Sequence, residues 1–142
     1  MQPDVFRHTH RVAYADCTLG NHVYYARYLD LLEIARNEFF RSLGQTFLDL
    51  QNQDTIFPVL ECRLRYKSPA HYDDLLSVEI WSTLAERVRL NLAYRILNQA
   101  GMVVLEGETF HACANVGNKP KRLPETLRER LLPFLHPEKG ET

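Results

Sequence analysis

Long apolar runs are missing from this sequence. No stretch approaches the roughly 18 consecutive apolar residues that a bilayer-spanning helix needs, and the opening MQPDVFRHTHR lacks the basic-then-apolar order of a secretion signal. The expectation is a cytoplasmic protein without a membrane span. Cysteine is scarce as well: Cys17, Cys62 and Cys113 are odd in number, far apart and without a CxxC pair, which argues against a disulfide framework or a zinc knuckle. Neither sign of charge dominates, since 17 Lys and Arg against 18 Asp and Glu leave a formal net charge of -1. No chain-wide field therefore draws nucleic acid or an anionic membrane, although a local basic pocket is still open to it. The six glycines and seven prolines are scattered, and neither an internal repeat, a low-complexity tract nor a linker is present.

What is there suits one globular domain over residues 1–142. The chain is 142 residues long, 45% hydrophobic and 25% charged, enough to bury a sizeable core without metal or disulfide staples. Phe6 to Tyr14 alternates and suggests an opening strand. Then the period changes: Tyr28, Leu32, Ala35, Phe39 and Leu43 recur every four or three residues, predicting one long helix from about His22 to Leu43, with Asn21 as N-cap and Gly44 just past its end. A polar connection, Gln45 to Thr55, holds a short helical turn at Phe47 to Leu50. Four strand-like segments follow, Phe57 to Lys67, Leu75 to Leu84, Arg87 to Leu97 and Met102 to Val116, the last three with turns short enough for an antiparallel meander. Leu123 to Leu135 reads as a short C-terminal helix broken by Pro133. The fold class is α+β: a five-stranded antiparallel sheet curled round a single apolar helix.

The segment Val12-Ala13-Tyr14-Ala15-Asp16-Cys17-Thr18-Leu19-Gly20-Asn21-His22-Val23-Tyr24-Tyr25-Ala26-Arg27-Tyr28, continuing into Glu33-Ile34-Ala35-Arg36, resembles the hallmark of hotdog-fold acyl-CoA thioesterases of the 4-hydroxybenzoyl-CoA thioesterase superfamily. IFPVLECRLRYKSPAHYDDLLSV and GETFHACANVGNKPKRLP are similar to later segments of that family, so nearly the whole chain is covered. The resemblance implies a hotdog fold, homodimers or homotetramers with sites at subunit interfaces, an acyl-CoA or acyl-carrier thioester as substrate, and neither cofactor nor metal. It also implies that the backbone N–H of Tyr25, at the start of the long helix, polarises the thioester carbonyl, as free amides at the positive end of a helix dipole can. One position departs from the family pattern. Thr18 stands where most members carry a second acid, and an unassisted hydroxyl is no base near neutral pH.

Asp16 is the leading substitute base, because two residues along an extended strand it would share a face with Thr18; its plainer reading is a loop cap. His22 is suited to orient a water, or else fills the first helical turn. Glu33 is read as an i+3 partner of Arg36, against the alternative of an acid on the long helix, where a related hotdog group places its own. Arg87 and Arg89, with Lys67, are candidates to grip the coenzyme A phosphates, against the alternative of solvated strand charges. His8 and His10 share a strand face but lack a third ligand for a metal. Three functions are open: thioester hydrolysis, acyl-CoA or acyl-carrier binding without turnover, which Thr18 favours, and a hotdog dehydratase, for which only His22 speaks.

Overall fold

The computed structural model describes residues 3–137. Its strands are β1 (Phe6–Arg11), β2 (Val59–Tyr66), β3 (Leu75–Glu86), β4 (Arg89–Leu97) and β5 (Val103–Ala112); its helices are α1 (Arg27–Ser42), α2 (Phe47–Asn52) and α3 (Glu125–Leu131). The strands form one sheet in the order β1-β3-β4-β5-β2, antiparallel at every pairing. The last three strands make the expected meander, and α1 carries the chain across the inner face from one edge strand, β1, to the other, β2.

Alternation decides what the sheet buries. On β4 the inward residues Leu90, Leu92, Tyr94 and Ile96 meet Leu76, Val78 and Ile80 of β3 and the face of α1 formed by Tyr28, Leu31, Leu32, Ala35, Phe39 and Phe40. Truncating one such fully buried Leu to Ala costs about 2–5 kcal/mol. The outward residues carry charge instead: Arg7, Glu79, Arg95, Glu106 and Arg65 lie in one register row across all five strands. Glu79 accepts from Arg7 at 2.9 Å and from Arg95 at 2.8 Å.

The end of α1 is where Gly44 was expected to act. Gly44 has φ 74, its N–H donates to Arg41 C=O and the Gln45 N–H to Phe40 C=O, the paired bonds of a Schellman stop. The start of α1 differs from expectation. Asn21 has φ 60 and lies in a turn, the N-cap position is Ala26 without a side-chain cap, and the helix begins at Arg27 rather than His22. The opening strand likewise ends at Arg11, and α3 closes at Leu131, with Pro133 inside the 3₁₀ turn Leu132–Phe134 that follows.

Candidate active site

The loop between β1 and α1 is fastened at both ends before it reaches the cleft. Val12 N–H donates to Asp74 C=O and Asp73 N–H donates back to Val12 C=O. Tyr14–Asp16 then forms a single 3₁₀ turn that points the Asp16 side chain inward, where it is 1% exposed. Its Oδ2 accepts from Ala13 N–H at 2.8 Å and from His10 Nε2 at 2.7 Å, and its Oδ1 accepts from Arg27 Nε at 2.7 Å. An ionised carboxylate only accepts, so His10 Nε2 carries the hydrogen. Burial alone would raise the Asp16 pKa, but the Ala13 amide, Arg27 and His10 outweigh it and hold the carboxyl below its ordinary value. Asp16 thus knots β1, the loop and the first residue of α1 together.

That arrangement corrects the premise on which Asp16 was paired with Thr18. Asp16 closes a 3₁₀ turn rather than lying in a strand, although Cys17 after it is extended, and both of its carboxylate oxygens are taken up by three donors. Thr18 opens a tight turn instead: Asn21 N–H donates to Thr18 C=O and Thr18 N–H to His22 C=O, with Gly20 at φ 88 and Asn21 at φ 60. Glycine suits the left-handed position, and a Cβ on Gly20 would meet the His22 ring at 3.2 Å.

Beyond the turn lies an open cleft of about 510 Å³. Thr18, His22 and Tyr25 form one wall, and Tyr28, Tyr66 and Lys67 contribute to the rest. Four of the seven residues singled out in the sequence, Thr18, His22, Tyr25 and Lys67, therefore converge here. Tyr25 sits at the mouth of α1, and among the described residues neither its N–H nor that of Ala26 has a backbone acceptor, whereas Tyr24 N–H donates to Asp16 C=O and Arg27 N–H to Tyr24 C=O. A free amide at the positive end of a 16-residue helix is an electrostatic fit for a carbonyl oxygen gaining negative charge. Tyr66, which sequence reasoning had not singled out, fixes the opposite wall: its hydroxyl donates to the Tyr25 carbonyl at 3.0 Å. Its sequence signal was its place as the aromatic before Lys67 and the Ser68-Pro69-Ala70 break, in the segment that resembles the family.

Arg87 and Arg89 are not brought to this cleft. Both belong to the β3–β4 hairpin, eleven residues of β3 from Leu75, about 35 Å of strand from the cleft end of the sheet. Arg87, at φ 55 in the turn, lies beside Arg122 and Arg128. The expected Glu33–Arg36 ion pair is also absent among the described residues; Arg36 donates instead to the Tyr94 hydroxyl at 3.2 Å.

The family model for the thioesterase-like superfamily matches residues 12–131, which takes in the loop, the cleft and all five strands but β1. The chain belongs to the thioesterase-like superfamily. Among curated relatives, the acyl-CoA thioester hydrolase YbgC of Escherichia coli O6:H1 is 30% identical over 128 residues, 89% of this chain and 96% of that protein. The 1,4-dihydroxy-2-naphthoyl-CoA hydrolase of Thermosynechococcus vestitus is 29% identical over 138 residues, 90% of this chain and 92% of the relative. Slr0204, a 1,4-dihydroxy-2-naphthoyl-CoA thioesterase from Synechocystis, superposes with a TM-score of 0.85 at 22% identity, over 94% of this chain and 100% of its own. That last likeness speaks for the fold, the hotdog arrangement of a sheet curled round one helix. Within this thioesterase-like chain no helix is long and apolar enough to cross a membrane among the described residues.

Proposed function

We propose that this chain hydrolyses an acyl-CoA thioester in the cleft at the start of α1, with the Tyr25 N–H holding the oxyanion. The observation that carries the reading is the convergence there of Thr18, His22, Tyr25 and Lys67 around an amide without a backbone acceptor. The E. coli and T. vestitus relatives are named as acyl-CoA hydrolases, in keeping with it. Thr18 and His22 position the attacking water, His22 as the cleft side chain with one ring nitrogen to donate and one to accept a hydrogen bond. Lys67 meets the coenzyme A phosphates. Asp16 acts through the loop it fastens, as a positioning residue. Arg87 and Arg89, so far along β3, serve coenzyme A only in another subunit's cleft. Self-association belongs to the same proposal and is supported by the edge strand β2, which presents half-exposed Val59, Leu60 and Tyr66. An open apolar edge strand invites pairing with a second copy.

Acyl-CoA binding without turnover is the second reading, and one observation favours it: among the described residues no carboxylate lines the cleft. Thiol release from a panel of aromatic, short-chain and long-chain acyl-CoA esters separates the two. Hydrolysis of at least one ester, raised in Thr18→Asp by the returned base, whose typical worth is ~10²–10⁴-fold, bears out the first. A panel that is bound and left intact establishes the second.

A further inference from the structure

A second cavity, of about 260 Å³, opens at the other end of the same face of α1. Its walls are mostly apolar, with Phe40, Phe47 and Phe57 forming a cluster at ring separations of 5.2 and 5.9 Å. Glu33, Arg36, Gln51, Thr55 and His111 also line it, and Glu33, one helical turn before Arg36, forms no ion pair with it among the described residues. The two cavities lie on one seam, since α1 and β2 both run from one to the other. Tyr25 and Tyr66 border the cleft, and Arg36, Phe40 and Val59 border the inner cavity. Between them Leu29 and Cys62 are exposed.

Arg36 is held in a defined orientation at the inner end. It donates to Tyr94 Oη at 3.2 Å, Tyr94 Oη lies 2.6 Å from Thr109 Oγ1, Thr109 Oγ1 lies 2.8 Å from His111 Nε2, and His111 Nδ1 lies 3.1 Å from Phe57 C=O. Both ends of this chain are fixed, because a guanidinium only donates and a carbonyl only accepts. Nδ1–H goes to Phe57 C=O, and with His111 neutral its Nε2 accepts, so Thr109 O–H points to His111 and Tyr94 O–H to Thr109. Tyr94 Oη is then the acceptor this chain offers to Arg36. Arg36 makes no other hydrogen bond and has no carboxylate within 4.0 Å among the described residues. The remaining N–H groups of this part-buried cation are not sealed from solvent, so an oxygen of a bound acyl group would take the place of water on them.

We propose that the α1–β2 seam receives the acyl group and that Arg36 selects acyl groups bearing an oxygen at the end remote from the thioester. The inference rests on the thioester reading of the cleft. Nine residues of helix separate Arg27 from Arg36, about 14 Å of rise, with Tyr25 two residues before the helix, and an arginine side chain leans back toward the helix N-terminus. The reach from the Tyr25 amide to the guanidinium is then roughly 10–12 Å, the length of an eight- to ten-carbon chain or of two fused rings with a substituent.

The test compares decanoyl-CoA, ω-hydroxydecanoyl-CoA and ω-carboxynonanoyl-CoA with the full-length protein, by kcat/KM and by the Kd of their non-hydrolysable thioether analogues. The wild-type protein favours one of the oxygen-bearing ligands over decanoyl by roughly tenfold or more, the worth of one hydrogen bond to a charged group. Which of the two is favoured tells hydroxyl from carboxylate. Arg36→Met brings the ratio close to one, and Arg36→Lys restores part of it. A wild-type ratio near one, or a ratio that Arg36→Met leaves unchanged, overturns the proposal. If none of the esters is hydrolysed, the hydrolase reading fails by itself, and the thioether Kd ratios still decide the role of Arg36.

Discussion

Asp16 illustrates how far a residue's neighbours decide its chemistry. A carboxylate beside a thioesterase-like turn invites the role of base, but three donors hold it ionised and bury it at 1% exposure. Asp16→Asn should therefore lower stability by about 2–4 kcal/mol, since it removes the charge facing Arg27 and turns one of the two accepting oxygens into an NH2 donor set against donors, read as a drop in the urea midpoint. A variant with unchanged stability and turnover reduced ~10²–10⁴-fold would make Asp16 the base after all. His111 gives a second expectation. Burial, outweighing its bond to Phe57, lowers its pKa from 6.5 to about 4, so the folded state keeps it neutral where the unfolded chain takes a proton. Its contribution is complete above pH 6.5 and is lost as pH falls toward 4, up to on the order of 3 kcal/mol. Asp16 and Asp74, whose pKa values are lowered, act below that window, losing their contribution as pH falls from the ordinary carboxylate value through their folded one. His111→Gln should flatten the dependence of the urea midpoint between pH 6.5 and 4; an equally steep loss in the variant would assign it elsewhere.

At the scale of elements, the sequence made the long helix, the meander and the Gly44 stop legible because each rests on local chemistry: a repeat of three and four, short turns, a glycine where φ must be positive. The start of α1 was not legible for the same reason. Asn21 has the composition of an N-cap, but Gly20 and Asn21 both adopt positive φ, and the Ala70 carbonyl, far along the chain, takes the Val23 N–H. The side chains that meet across the fold were equally out of reach. Nothing local distinguishes Arg36 pairing with Glu33 from Arg36 reaching Tyr94, 58 residues away, and the convergence of Lys67 with Thr18 follows from pairings that only the closed sheet imposes. Gly44→Ala tests the stop directly. The positive φ costs alanine about 1 kcal/mol, and its Cβ would meet the tip of Arg130 at 2.6 Å, displacing the side chain that donates to Leu43 C=O. A loss of roughly 1–2 kcal/mol on thermal unfolding is expected; no loss would mean that the helix ends for another reason.

For the whole molecule, the two sheet edges differ in what covers them. At the β1 side residues 133–136 bond Asp4, ahead of the strand, and Ser82 of β3, whereas β2 and the adjoining start of α1 leave Tyr25, Leu29, Val59, Leu60 and Tyr66 about half exposed. Light scattering at micromolar concentration should give a dimer or a tetramer, and a charge placed on the edge by Leu60→Lys should shift it toward monomer. A monomeric parent protein would contradict that arrangement, and the cleft would then have to work without a partner.

The central claim is where the thioester carbonyl sits. A crystal structure with an acyl-CoA ketone analogue, in which a methylene replaces the sulfur and the carbonyl is kept, measures it directly. The carbonyl oxygen should lie about 2.7–3.1 Å from the Tyr25 nitrogen, with Thr18 and His22 on the side from which water attacks. A carbonyl bound out of hydrogen-bond reach of that nitrogen would contradict the account.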